Sequence, residues 1–146
     1  GNTWAWNSRE NKLTTWSNDP VSDTPSEMLW IRNQHSGEAW TPIPYWRSCA
    51  AEYQIEHGPG YSKFSSLHSS LQQSVTIGID SIDSLKIVHV KLHNLSQESI
   101  TLSLTQTIDW VLGVDRSTSL ATLLTKYNPE FEAISVSTSF YPDYLH

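Results

Sequence analysis

A chain of 146 residues can hold one domain or a piece of a larger one, and that length excludes a multi-domain enzyme. Nine Lys and Arg stand against 15 Asp and Glu, a net charge of −6 whose sign repels phosphate backbones, so nucleic acid is not expected as a partner. Charged residues make up only 16% while 22 Ser and 13 Thr keep the surface wet, and six Ala among many β-branched and aromatic residues argue for strands over a helical bundle.

Residues 1–27 have no clear hydrophobic period and carry the turn formers Asn2, Asn7, Asn11, Asn18, Asp19, Pro20, Asp23 and Pro25, which predicts an irregular N-terminal arm. Residues 28–146 change to short strand-like runs. Met28–Arg32 and Glu38–Thr41, joined by a turn around Asn33–Gly37, predict a hairpin that Pro42 and Pro44 interrupt. Ala51–His57 and Tyr61–His68 flank Gly58-Pro59-Gly60 and predict a second hairpin. Leu71–Ile79 and Lys86–His93 follow, the latter with Val88, Val90 and Leu92 on an apolar face and His89, Lys91 and His93 on a wet one.

The clearest period of two runs from Ser99 to Trp110. Ile100, Leu102, Leu104, Ile108 and Trp110 alternate there with Thr101, Ser103, Thr105, Thr107 and Asp109. The six-residue link Asn94–Ser99 predicts that this strand pairs antiparallel with the one before it, one face buried and one hydroxyl-rich. Leu120–Tyr127 and Ala133–Ser139, split by Asn128-Pro129-Glu130, complete the set. Several strands at short spacing with no helical pattern between them predict an all-β fold, an antiparallel β-sandwich.

The lone cysteine, Cys49, cannot form an internal disulfide and reads as a small buried hydrophobe, so nothing indicates an oxidising compartment. No apolar run approaches the ~20 residues of a membrane span, and no signal peptide opens the chain. The expected location is cytoplasmic, with any membrane contact of a parent protein made outside this segment. The opening Gly1-Asn2-Thr3-Trp4 lacks a Met and reads as a cut end.

Motif chemistry is sparse. His89 and His93 have the spacing that chelates zinc from a helix, but on a strand four residues span ~13 Å, too far for one ion, so no metal site is expected. His57 and His68 flank the second hairpin and are the other pair weighed. No Gly-x-Ser-x-Gly elbow, Gly-rich phosphate loop or His-Glu-x-x-His occurs, and 15 acidic residues offer too many pairs for spacing to select one for glycoside chemistry. Asn94-Leu95-Ser96 matches the N-glycosylation pattern by chance.

The compositional outlier is tryptophan. Six of seven (Trp4, Trp6, Trp16, Trp30, Trp40 and Trp46) fall in the first third of the chain, where they can serve a core or a surface on which sugar rings stack. The arm also sets Asn7, Arg9, Glu10, Asn11, Asn18 and Asp19 near Trp16, a combination suited to binding hydroxyls as well as to anchoring the arm.

Longer runs carry a family resemblance. Thr3-Trp4, Asn7-Ser8-Arg9-Glu10-Asn11-Lys12-Leu13-Thr14 and Trp16-Ser17-Asn18-Asp19-Pro20-Val21-Ser22-Asp23 are followed by Leu29-Trp30-Ile31-Arg32 and Ser36-Gly37-Glu38-Ala39-Trp40-Thr41-Pro42. Tyr53-Gln54-Ile55-Glu56-His57-Gly58-Pro59-Gly60-Tyr61-Ser62-Lys63-Phe64 and Asp109-Trp110-Val111-Leu112-Gly113-Val114 continue the series. Together they resemble the phosphorylase-like region of bacterial cyclic β-1,2-glucan synthases in glycoside hydrolase family 94, formerly glycosyltransferase family 36, which also holds cellobiose and chitobiose phosphorylases. The resemblance covers most of residues 3–114 and becomes vague after Tyr127.

The resemblance implies part of a galactose mutarotase-like supersandwich that precedes an (α/α)6 catalytic barrel. In that family inorganic phosphate attacks a β-glucosidic bond with inversion and the general acid lies in the barrel. No catalytic residue, metal or cofactor is therefore assigned to this chain, and phosphate is implied for the parent enzyme only. Because the family's sandwich supports dimerisation and lends loops to a neighbouring active site, Arg9, Asn18, Asp19, His57 and Tyr61 become candidates for glycan-facing or structural roles, with Trp16 as a stacking ring. The expected function is a non-catalytic, carbohydrate-associated domain that supports glucan placement and packing, its partners a β-glucan oligosaccharide, the barrel and a second copy in a homodimer. The alternatives are a structural or dimerisation module that binds no sugar, and an autonomous mutarotase-like epimerase using His57 or His89 as acid or base.

Overall fold

The structure is a computed structural model that describes residues 2–19, 21–45 and 52–139. In chain order the strands are β1 (Lys12–Thr14), β2 (Glu27–Asn33), β3 (Ala39–Trp40), β4 (Tyr53–Gly58), β5 (Tyr61–His68), β6 (Leu71–Ile79), β7 (Lys86–Asn94), β8 (Leu102–Ile108) and β9 (Trp110–Gly113). A four-residue helix α1 (Arg116–Ser119) and a 3-10 turn (Leu120–Thr122) lead into β10 (Leu123–Asn128) and β11 (Ala133–Thr138). Antiparallel pairing joins β1 to β9, β2 to β3, β4 through β7 in succession, and β10 to β11. The chain is all-β, as its composition and alternation predict.

It divides into two compact units, Leu29–Thr105 and the combination of Gly1–Met28 with Gln106–His146. In the first, β4-β5-β6-β7 form a meander and β3-β2-β8 a second sheet. Ile31 and Trp40 from one sheet meet Leu71 from the other, with Leu92 and Leu102 packed against them, so two apolar faces close on one core. The core also buries polar groups. Trp40 Nε1 donates to Gln73 Oε1 at 2.9 Å, and Gln73 Nε2 donates to Ser66 Oγ at 2.8 Å. His68 stacks on the indole with ring centroids 4.0 Å apart, its Nε2 3.2 Å from Glu38 Oε1.

In the other unit, β1 pairs with β9, and buried hydroxyls share the interior with Val111 and Leu112. Thr3 N donates to Thr14 Oγ1 at 2.8 Å, Ser26 Oγ donates to the same oxygen at 3.0 Å, and Thr3 and Thr14 both donate to Glu27 Oε1. Asp109 ties the arm to the end of β8: its carbonyl accepts from Thr15 N at 3.1 Å, its N–H donates to Ser26 O at 2.7 Å, and its carboxylate pairs with Arg116. The Ser and Thr excess therefore also serves the interior, where each hydroxyl supplies both a donor and an acceptor.

Several sequence expectations are corrected. The run Ser99–Trp110 is two strands, separated at Asp109, and β8 lies beside β2 whereas β7 is an edge whose neighbour is β6. Pairing β8 with β7 would extend one sheet and leave its apolar face open; crossing through Asn94–Ser99 lets Leu102 cover the core that Leu92 also reaches. The apolar face of β8 is not buried throughout, since Leu104 is exposed. The strand expected from Leu120 starts at Leu123 because Asp115 caps a helical turn, its Oδ1 accepting from Thr118 N at 3.0 Å. The arm contributes strand β1. His57 and His68 fall at opposite ends of the β4–β5 hairpin, about 20 Å apart along β5, so they form no pair. Cys49, Trp46 and Pro20 lie outside the described residues.

Replacing Gln73 with Ala should cost about 2–3 kcal/mol, because it opens a cavity and leaves the buried Trp40 N–H without its acceptor. Urea unfolding would measure this, with exposed Gln72→Ala as a control expected to stay within about 0.5 kcal/mol of the parent.

Candidate functional site

The arm folds into two local loops. In the first, Asn7 Oδ1 accepts from the backbone N–H groups of Arg9 and Glu10 at 3.0 and 2.8 Å, and Asn7 Nδ2 donates to Asn11 Oδ1 at 2.9 Å. This pair of amides closes a turn that holds Trp6 97% exposed in a left-handed conformation, φ 57°. Arg9 lies on this exposed turn.

The second loop is built by two carboxylates. Asp23 accepts from Ser17 N at 3.1 Å, Ser17 Oγ at 2.5 Å and Asp19 N at 3.0 Å. Asp19 in turn accepts from Val21 N at 2.9 Å, Ser22 N at 3.3 Å and Ser22 Oγ at 2.5 Å. These bonds favour the ionised form, led by the Ser22 hydroxyl at Asp19 and the Ser17 hydroxyl at Asp23, and hold both carboxyls below their ordinary value of 3.8. The chain reverses at Asn18 with φ 64°, a conformation that Asn tolerates better than most residues.

Trp16, Asn18 and Asp19 come together in a shallow groove of about 350 Å³, joined by Asn2, Thr15, Asp23, Thr24 and Pro25. Trp4 stacks on Trp16 with ring centroids 5.7 Å apart and an interplanar angle of 22°, which fixes the groove's aromatic ring. The groove offers one indole ring, two amides, two threonine hydroxyls and two carboxylates that remain ionised near neutral pH. Such carboxylates accept hydrogen bonds from hydroxyls and are poor proton donors. The family resemblance nominates Asp19 for a glycan-facing or structural role, and the structure gives most of its acceptor capacity to its own loop. The run Asp19-Pro20-Val21-Ser22 is the readable signal for this turn.

His57 and Tyr61 belong to the other unit, at the turn between β4 and β5. His57 Nδ1 lies 2.9 Å from Ser62 Oγ, and its ring meets Phe64 edge-on. Tyr61 donates its hydroxyl to Glu56 Oε1 at 2.5 Å, and this bond, followed by the charge of Glu56, raises the phenol above its ordinary value of 10.0. The ring crosses Gly58 so closely that a Cβ there would lie 2.2 Å from Tyr61 Cε1, and Gly60 turns the chain with φ +75°. Both glycines are required by this geometry. Among the described residues no group of three or more His, Cys, Asp or Glu could hold a metal, and no helix is long and apolar enough to cross a membrane.

An all-β antiparallel domain with a tryptophan-lined groove is the class these features define. Over residues 1–144 the chain matches the glycosyl hydrolase 94 supersandwich domain, and it belongs to that family. It is 29% identical over 143 residues to the cyclic beta-(1,2)-glucan synthase NdvB of Rhizobium meliloti (strain 1021), covering 97% of this chain and 5% of that protein. It is also similar to N,N'-diacetylchitobiose phosphorylases, 29% identical over 104 residues in Vibrio proteolyticus and 24% over 98 residues in Vibrio furnissii. These matches cover 67% and 64% of this chain. The chain thus spans 5% to 13% of the length of these relatives.

Two titrations check the electrostatics. Folded-state pKa values below the ordinary 3.8 mean that Asp19 and Asp23 stabilise their loop above that pH and lose this contribution as pH falls through the lowered values. Trp16 fluorescence should change over that acid range, and in Asp23→Asn it should already be altered at neutral pH. In Glu56→Gln, Tyr61 should ionise at a lower pH than in the parent, read from its Cζ chemical shift.

Proposed function

We propose that this chain is a non-catalytic, carbohydrate-associated sandwich domain of a glucan-processing enzyme, supporting glucan placement through its N-terminal arm. The observation that carries this reading is the Trp16 ring, backed by Trp4 and set beside Asn18, Thr15 and Asn2. A fixed indole face offers the C–H face of a pyranose a stacking surface, and the neighbouring amides and hydroxyl offer partners for its hydroxyls. Trp6, fully exposed on the adjacent turn, extends the aromatic surface of the arm. Membership of the glycosyl hydrolase 94 family and the similarity to a β-1,2-glucan synthase support a β-glucan as the ligand. Asp19 and Asp23, held ionised in their own loop, favour binding over proton transfer. In this reading Arg9, Asn18 and Asp19 shape the arm, and His57 and Tyr61 brace the β4–β5 turn.

A second role, packing against a barrel of the parent enzyme or a second copy, is favoured by exposed apolar side chains. Ile82 on the β6–β7 turn and Phe131 on the β10–β11 turn are 91% and 72% exposed, respectively.

Titration with sophorose and longer β-1,2-glucan oligosaccharides should give a saturable tryptophan fluorescence change with a millimolar Kd, weakened about tenfold in Trp16→Ala. Absence of a saturable change up to about 10 mM ligand would reject the glucan reading and leave the packing role.

A further inference from the structure

The four-stranded sheet has a second surface, opposite the one that closes on the core. Its inner face carries the rows Ile55–Phe64–Val75–Val90 and Tyr53–Ser66–Gln73–Leu92. Period-two alternation sends the intervening residues outward, in the rows Lys63–Thr76–His89, Gln54–Ser65–Ser74–Lys91 and Leu67–Gln72–His93. These outward side chains line a concavity of about 890 Å³ on the sheet, bounded by Glu52 and Leu95.

Its chemistry differs from that of the chain as a whole. Acidic residues outnumber basic ones 15 to nine in the sequence, yet the concavity is lined by Lys63, Lys91, His89 and His93 with one carboxylate, Glu52. The nearby Glu56, opposite Lys63, accepts the Tyr61 hydroxyl. Gln54, Ser65, Gln72, Ser74 and Thr76 fill the floor with amides and hydroxyls. No aromatic ring is turned outward in these three rows: Phe64 lies in an inner row, Tyr53, which borders the concavity, donates its hydroxyl to Thr41 O at 3.1 Å, and Tyr61, in phase with Lys63 on the outer face, lies over Gly58 beyond the concavity's lining with its hydroxyl on Glu56.

We propose that this outer face of β4–β7 is a binding site for an acidic oligosaccharide, a sugar chain bearing carboxylate or phosphate groups. Neutral hydrogen bonds exchanged with water add little, and these three rows give a neutral pyranose no ring to stack on. Charge-assisted bonds from Lys63 and Lys91 are the stronger interactions the face provides, while Gln54, Gln72, Ser65 and Ser74 match the hydroxyls between the charges. The site uses residues of this sheet alone and stands whether or not the arm binds glucan.

The test compares two ligands with one skeleton, neutral cellotetraose and its C6-oxidised cellouronate tetramer, by amide chemical-shift mapping on the full chain. Cellouronate should shift the amides of Ser65, Ser74 and Lys91 and bind about tenfold more tightly than cellotetraose, with affinity falling as NaCl is raised. Lys63→Gln with Lys91→Gln should abolish that difference while leaving the circular dichroism unchanged, and Lys91→Arg should retain it. Equal affinity for the two tetramers, shifts located elsewhere, or no shifts would overturn the proposal. Equal binding of a tetrathymidylate would also overturn it, by showing a patch that selects charge alone.

Discussion

A buried tryptophan brings an N–H that cannot be left without an acceptor, and the core of Leu29–Thr105 is arranged around that requirement. Trp40 reaches the core from the short strand β3, and Gln73 receives its N–H from the facing sheet while passing its own amide hydrogen to Ser66. The bond thus fixes the distance and register between two sheets whose apolar contact is small, with Ile31, Trp40 and Leu71 at its centre. A polar link in a dry core stabilises only when every member is satisfied, which makes this chain of donors and acceptors specific to one packing.

The same logic recurs in the other unit with hydroxyls. Thr3, Thr14 and Ser26 occupy interior positions around Glu27, each bonded within the cluster. A chain with few charges and many Ser and Thr builds its interior from short hydroxyls as readily as from aliphatic groups. The price is geometric: such interiors tolerate little displacement, since hydrogen bonds weaken steeply with angle. The groove around Trp16 follows from carboxylates that hold an exposed loop and from Trp4, which backs the ring.

The candidate residues show how far spacing reaches. Trp16, Asn18 and Asp19 are close in sequence and share one groove, so proximity along the chain was informative for them. Asn2, Asp23 and Pro25 complete the groove by a loop closure that no periodicity announces. Tyr61 and Glu56 meet because of hairpin register, and the polar rows on the outer face of β4–β7 arise by aligning four separate strands. Each strand's alternation was readable; the composite surface required their pairing.

The sequence by itself determined the all-β class, the bounds of β5 and β6, the turn at Gly58-Pro59-Gly60 and the family, because alternation, turn chemistry and collinear motifs are local properties of the chain. Only the tertiary structure decided that β8 lies beside β2 and not β7, that Asp109 divides one alternating run into two strands, and that Asp19 serves its own loop. An alternating strand specifies that it has an apolar face and leaves open which sheet will cover it. That choice depends on which arrangement buries Leu92 and Leu102 together on Ile31, Trp40 and Leu71, a comparison of whole packings that no window of sequence contains.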